Sequence, residues 1–587
     1  MFANLLAPAE AVPQRPTRRA WGILLLLTAL VAALHLVGLD WHLPHHPQGD
    51  EKVLWLQVAI ARGEEVTPAE RLLARCYPSL LGRAADALVS ETRPAAPGDV
   101  AALREAAVHE LYGIRLLVAI LSAGIVPATW LVARWFLRER WAFLAAALAS
   151  TSTIAVWYSS MARPHAVVVV FLTATVAASL RARATGRIRD FLLAGAFAAL
   201  AVGTLHSGAC ACAAVAAAWA WNARPRFGAP LVGAVLAAVL VLVSLFVFLR
   251  GEPLPDLAGG EKPGNALLSF FGMGVHNVDA GFFDGGGFVR FARAMRDWEP
   301  ILALGAAVGI ACLIGSVLRG GADRTRRAVF WTVAAQPLTH LLLFGAYSDS
   351  FQRFWLPLIP YLAILAVVGA VSCWNAAPVR VRPFVAGLCT TLALAQLGIA
   401  LQIARLRVRD DTHELAAHWI ETHPANGPFF IGPTVRVPLV ARDPAYRAEL
   451  LTSRMYFVPW VLALTRLDDA TRDAAGIDLR DLPLRRLDQR NQLELQPARF
   501  VDGLGKGCVF LERIRDDRRK MFRVLREELV RRGEPLAAFD PRPPTIPGAQ
   551  PIDYMLDGPG APEAWFAWSL VWVERLGPSI EVFSTGN

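Results

Sequence analysis

The sequence predicts an all-α polytopic transmembrane bundle of about eleven helices, followed by a C-terminal extracytoplasmic α/β domain. Three observations lead there. Only 18% of the 587 residues are charged, against about 25% in soluble domains. The missing charge is concentrated in apolar segments of about 20 residues, the length a helix needs to cross a bilayer core of about 30 Å. The basic residues sit in short clusters between those segments, and every alternate loop carries one.

Candidate spans run near 21–39, 112–133, 141–158, 165–180, 190–205, 207–222, 229–249, 299–318, 328–346, 353–373 and 383–404. Backbone polar groups in lipid must be satisfied within the segment, so these spans are helices. The fifth and sixth are divided only by a short polar break at His206 to Gly208. Arg15, Arg18 and Arg19 precede the first span, and Arg134, Arg138 and Arg140 follow the second. Arg181, Arg183, Arg187 and Arg189 follow the fourth, and Arg224 and Arg226 the sixth. Arg319, Arg324, Arg326 and Arg327 follow the eighth, and Arg380 and Arg382 the tenth. Arginine and lysine are retained on the cytoplasmic side. Residues 1–20 are therefore expected as a cytoplasmic tail, 21–405 as the membrane domain, and 406–587 as a soluble domain outside. The stretch from Trp21 to Leu39 is too long for a signal-peptide core and no small-residue cleavage site follows, so it reads as a retained helix.

Two outer loops are long, 40–111 and 250–298, and loops of this length are uncommon without a function. Lys52 to Arg62 and Ala101 to Leu111 read as helices lying on the membrane surface. The second loop is rich in Gly and Pro, with Gly285, Gly286 and Gly287 in a row. Beyond Arg405, Glu414 to Thr422 reads as a helix, Pro428 to Leu439 as strand-like runs, and Leu511 to Arg532 as a charged helix. The seven cysteines have no metal-ligand spacing. Cys76 and Cys508 fall on the same expected side, and their pairing is left open by sequence alone.

Three outer segments carry chemistry. After the first span comes His42-Leu-Pro-His45-His46-Pro-Gln-Gly-Asp50-Glu51. A carboxylate can take a proton from a hydroxyl within hydrogen-bond reach, and Asp with His can hold a divalent cation. The spacing decides neither, and a solvated loop has the same appearance. Between the third and fourth spans, Tyr158-Ser-Ser-Met-Ala-Arg163-Pro164-His165 puts a guanidinium at the outer face, where topology does not require one. It suits a phosphate, or equally an arginine snorkelling to headgroups. Tyr347-Ser-Asp-Ser-Phe-Gln-Arg353, before Pro357 and Pro360, places a second arginine at the mouth of a span. His206 lies at the outer end of the fifth span, and His340 within the ninth. Ionisable groups at membrane depth are functional candidates, although a lone histidine there is more often a packing residue.

These elements, in this order over residues 20–375, resemble the GT-C class of membrane glycosyltransferases. The pattern is most similar to the protein O-mannosyltransferase and aminoarabinose-transferase families, grouped as glycosyltransferase family 39. The resemblance rests on Asp50-Glu51 with Val58-Ala-Ile-Ala-Arg62-Gly63 and Tyr77-Pro78-Ser79-Leu80. It continues with Tyr112-Gly-Ile-Arg115, Tyr158 to Pro164, and Arg353 with Pro357 and Pro360. The chain departs from the family at Gly49, His165 and His206, where proline, an acidic or aromatic residue, and lysine are common. The resemblance implies transfer of a sugar from a polyprenyl-phosphate carrier to an acceptor hydroxyl at the outer face of the inner (plasma) membrane. Asp50 would be the general base, with inversion at the anomeric carbon. Glu51 would orient the acceptor or Asp50, or contribute to a cation site. Arg163, Arg353 and His206 would hold the donor phosphate, with His45, His46, His165 and Tyr347 as substrate or metal contacts. A divalent cation is the one cofactor in question. Besides membrane lipids and the donor, the implied partner is an acceptor protein, lipid or glycan. The richness in Ala and Arg suggests a GC-rich bacterial genome.

The other readings are a lipid-sugar transporter or flippase and a non-catalytic binding subunit. Transporters often show matching broken helices in two related halves, and no such symmetry is present. Nucleic acid is not an expected partner despite the formal net charge of +10, because the arginines form loop clusters rather than one patch. No Walker loop, dinucleotide fingerprint or zincin motif occurs.

Overall fold

The structure, a computed structural model, describes residues 16–41, 43, 50–64, 66, 68–89, 100–222, 227–249, 267–268, 276–277, 282–318, 324–348, 350–432, 435, 484–487, 496–512, 520–540, 567, 570–577 and 579–586. His45 and His46 lie outside the described residues. The fold is mostly helical. Among the described residues, seven helices are long and apolar enough to cross a membrane, or up to nine if each of two bent pairs is one span. The described residues do not by themselves give the expected eleven: Ile188–Thr204 has 17 residues, and His206–Ala220 is apolar but shorter still.

The helices follow the apolar runs. α1 (Arg18–Leu36) begins where the Thr17 hydroxyl accepts from the Ala20 N–H, which satisfies one of the donors orphaned at a helix start. After it come α2 (Glu51–Ala61), α3 (Pro68–Ala74), α4 (Leu80–Leu88), α5 (Val100–Ser122) and α6 (Ile125–Ala133). α7 (Glu139–Ser150) and α8 (Thr153–Ser159) meet at a 59° bend. α9 (His165–Thr185), α10 (Ile188–Thr204), α11 (Ala211–Ala220) and α12 (Ala229–Leu249) follow. α13 (Gly286–Trp298) and α14 (Pro300–Leu318) meet at 118°. α15 (Arg324–Ala346), α16 (Ile359–Ala376) and α17 (Arg382–Arg407) complete the bundle.

Two surface helices expected from the sequence are something else. Lys52 to Arg62 forms α2, in which Glu51, Val53 to Val58 and Ala59 are all buried. Its hydrophobic residues occupy both sides of the helix, so no polar face is left for water. Ala101 to Leu111 is the start of α5 and runs directly into the second span. Within the 250–298 loop, the last thirteen residues form α13.

The C-terminal residues contain a five-stranded sheet in the order β4-β3-β5-β7-β6, made of β3 (Phe429–Ile431), β4 (Leu484–Arg486), β5 (Cys508–Glu512), β6 (Ala537–Phe539) and β7 (Ile580–Ser584). A short antiparallel pair, β1 (Leu267–Leu268) with β2 (His276–Asn277), precedes them in the chain. β3 runs parallel to β4 and β5, and β7 is antiparallel to β5 and β6. Side chains alternate across a strand. Cys508 and Phe510 accordingly face the helix α18 (Thr412–Thr422), while Val509 and Leu511 face helices Pro497–Leu504 and Lys520–Arg532. The charged stretch expected as one helix from Leu511 therefore begins as a strand and becomes helical at Lys520. Arg526 donates to Glu581 on β7 across 2.8 Å, and that hydrogen bond raises its pKa above the ordinary value. Cys76 and Cys508 are not joined.

Candidate active site

Three chain segments distant in sequence converge on one carboxylate. Asp50 occupies the N-cap position of α2, where an aspartate usually accepts from its own helix. It makes no such side-chain bond. Its Oδ2 lies instead 3.2 Å from Arg163 Nη2 and 3.4 Å from Arg353 Nη2. The carboxylate is 40% exposed, whereas the arginine side chains are 3% and 11% exposed. Two guanidiniums thus meet on one carboxylate.

The next residue faces the other way. Glu51 is fully buried and receives both prongs of the Arg115 guanidinium at 2.8 Å. Its Oε1 also accepts from the Ala162 N–H at 2.7 Å. Arg115 is itself fully buried and donates further to the Leu39 and Trp41 carbonyls, both at 2.7 Å. Glu51 thus fastens the residue after Asp50 to the residue before Arg163. Both of its oxygens point into the protein.

Arg163 leaves a tight turn in which its own N–H reaches the Met161 carbonyl at 2.7 Å, and Pro164 and His165 then open α9. Arg353 stands in a 3-10 helix, Gln352–Leu358, stiffened by Pro357. Its guanidinium lies over the rings of Phe351 and Phe354, at 4.3 and 5.3 Å, where the ring faces attract a cation. His340 on α15 holds this segment by a 2.6 Å hydrogen bond to the Phe354 carbonyl.

The remaining expected site residues are placed around this centre. His165 is buried, its ring 5.7 Å from Tyr77, 6.5 Å from Tyr158 and 6.1 Å from Phe354, the neighbour of Arg353. Tyr347 lies against Phe282 and Phe283, with ring centroids 6.0 and 5.2 Å away. His206 opens a short 3-10 helix between α10 and α11 and is not among the ion-pair partners of Asp50. Among the described residues, no group of three or more His, Cys, Asp or Glu could hold a metal ion. Arg407 and Glu299, both buried, contact the α8 segment that leads to Arg163, and neither stands among the site residues expected from the sequence. Each is a single charged residue whose partner is more than a hundred positions away, so no local pattern marks it.

Residues 106–248 match the family model described as "Dolichyl-phosphate-mannose-protein mannosyltransferase". This bears out the resemblance to a GT-C membrane glycosyltransferase, on a segment that holds Arg163, His165 and His206. No curated protein matches the sequence significantly. Among solved structures, ArnT from Cupriavidus metallidurans bound to undecaprenyl phosphate aligns at 15% identity. It covers 85% of this chain and 94% of that one, with a TM-score of 0.42. The apo form of the same protein gives 12%, 84%, 94% and 0.40. The Archaeoglobus fulgidus oligosaccharyltransferase gives 10% identity over 84% of this chain and 69% of that one, with a TM-score of 0.39. With its several long apolar helices, the chain is a multi-pass membrane protein.

Proposed function

We propose that the chain transfers a sugar from a polyprenyl-phosphate-linked donor to an acceptor hydroxyl, at the face of the membrane opposite the basic loops. One observation carries the reading: a half-exposed carboxylate stands between two nearly buried arginines that arrive from separate segments. The arginines would bind the donor phosphate. Asp50 would accept the acceptor's hydroxyl proton as that oxygen attacks the anomeric carbon. The new C–O bond forms while the bond to the phosphate oxygen breaks from the opposite side, which inverts the centre and releases polyprenyl phosphate. The leaving phosphate gains negative charge during this step. Fixed cations at that point therefore stabilise the transition state more than the bound donor. The description of the matched family model, naming a dolichyl-phosphate sugar and a transferase, supports the donor class.

Glu51 would be a positioning residue, because its oxygens are committed to Arg115 and the Ala162 N–H. His165 would fix the packing beside Arg353 rather than bind phosphate. Membranes of the native host would be supplied with a panel of labelled polyprenyl-phosphate sugars, with wild type and Asp50→Asn at matched expression. Loss of a general base costs about 10²–10⁴-fold, and a drop of at least about 100-fold is expected for Asp50→Asn. Full transfer by Asp50→Asn would remove the assignment. Donor binding without transfer by the wild type would turn it into that of a binding subunit.

A further inference from the structure

The helix α8 is fully buried from Thr153 to Ser159, and its two ends are held by opposite charges from elsewhere in the chain. At its start, Glu299 Oε1 accepts from the Ile154 N–H and from the Ser152 hydroxyl, both at 2.7 Å. Ser152 in turn caps the Ala155 N–H at 3.2 Å. Glu299 Oε2 accepts from Gln396 on α17 at 3.3 Å. At its end, Arg407 Nη2 donates to the Val156 and Trp157 carbonyls, the latter at 3.0 Å. A helix exposes unsatisfied N–H groups at its start and C=O groups at its end, so an anion suits the first and a cation the second.

Neither clamp residue has an ordinary reason to be there. Glu299 is fully buried and Arg407 is 2% exposed. Among the described residues neither makes an ion pair with an opposite charge. Buried charge without an ionic partner is costly, yet each makes its main contacts to α8. Beyond α8 the chain has only Ser160, Met161 and Ala162, all buried, before Arg163. Arg163 therefore inherits its position from the placement of α8 on one side and from the Glu51 bond to the Ala162 N–H on the other.

We infer that Glu299 and Arg407 are positioning residues that set the Arg163 guanidinium against Asp50, through the charge-clamped helix α8. The inference rests on the proposed transferase reading, in which Arg163 binds the donor phosphate. Arg407 ends the last long helix, so the clamp also ties the site to the start of the C-terminal residues.

A double-mutant cycle on the full chain in nanodiscs separates this role from general damage. Binding of polyprenyl phosphate and sugar transfer would be measured for Arg407→Met, Arg163→Ala and the double variant. Contacting residues are coupled, while distant independent ones add. Arg407→Met is expected to weaken phosphate binding and transfer about tenfold in the wild-type background, but less than about twofold when Arg163 is already Ala. Arg407→Lys should recover most of the loss. Glu299→Gln, of nearly the same shape, should lose activity in the same coupled way. The exposed Arg409→Ala is the control and should stay within about twofold. Folded yield and unfolding temperature are recorded for each variant. If Arg407→Met and Glu299→Gln each multiply the Arg163→Ala defect, positioning is wrong, even while dependence on Asp50 keeps the transferase reading. If the wild type neither binds polyprenyl phosphate nor transfers sugar, the reading and this inference fall together.

Discussion

Asp50 and Glu51 are neighbours with opposite fates, and the difference is one of burial. The half-exposed Asp50 meets two cations, while Glu51 is closed against Arg115. Removing one member of a fully buried ion pair leaves an unpaired charge and costs about 3–5 kcal/mol, whereas replacing both by apolar residues is often tolerated. Glu51→Leu or Arg115→Met alone should therefore sharply lower the unfolding temperature and folded yield in detergent. The double Glu51→Leu/Arg115→Met should recover most of that stability but not the transfer activity, since the bond to the Ala162 N–H stays lost. Equal instability of single and double variants would contradict the account. The acidic pair and both site arginines were legible in the sequence, because each stands where topology gives no reason for charge. The partner of Glu51 was not, because Arg115 lies inside an apolar helix and nothing local links the two.

At the scale of elements, hydropathy located the helices and missed their bends. The 141–158 segment reads as one span but is α7 and α8 joined at 59°. A window of apolar residues has no means of registering where the axis turns. Packing between spans was equally hidden. A Cβ on Gly309 of α14 would come within 2.0 Å of the Leu365 carbonyl oxygen on α16, and one on Gly369 within 2.8 Å of the Gly309 backbone nitrogen. Small residues let membrane helices approach this closely. Gly309→Val must push two backbones apart, so a loss of at least about 3 kcal/mol, seen as a collapse of the thermal transition, is expected. Gly387 on α17 has nothing within 4 Å. Gly387→Ala should be neutral or stabilising by up to about 1 kcal/mol, since alanine favours a helix over glycine. An unchanged transition for Gly309→Val would show that α14 and α16 are not packed this way.

For the whole molecule, the number of crossings matters less than its parity. Among the described residues seven helices qualify as spans, or up to nine with the bent pairs, and the eleven expected from hydropathy is odd, as are seven and nine. The two shorter apolar helices leave parity unchanged whether both cross or together dip in and return. An odd number of crossings would put the two ends of the chain on opposite sides, with the basic loops facing the cytoplasm. Asp50, Arg163 and Arg353 meet at one end of the helices, while the Arg138–Arg140 and Arg187–Arg189 turns belong to the alternate loops. The C-terminal residues join that same end. Gln402 on α17 donates to the Leu570 and Val573 carbonyls at 3.1 and 3.0 Å, and the Thr412 N–H to the Leu576 carbonyl at 3.1 Å. Single cysteines at Arg187 and at Gly533, in a background with the exposed native cysteines replaced, test the arrangement in intact cells. A membrane-impermeant maleimide should label the Gly533→Cys chain and spare Arg187→Cys until the membrane is opened. The reverse pattern would put Asp50 on the cytoplasmic side, where the acceptor, and with it the proposed direction of transfer, would have to be sought among cytoplasmic molecules.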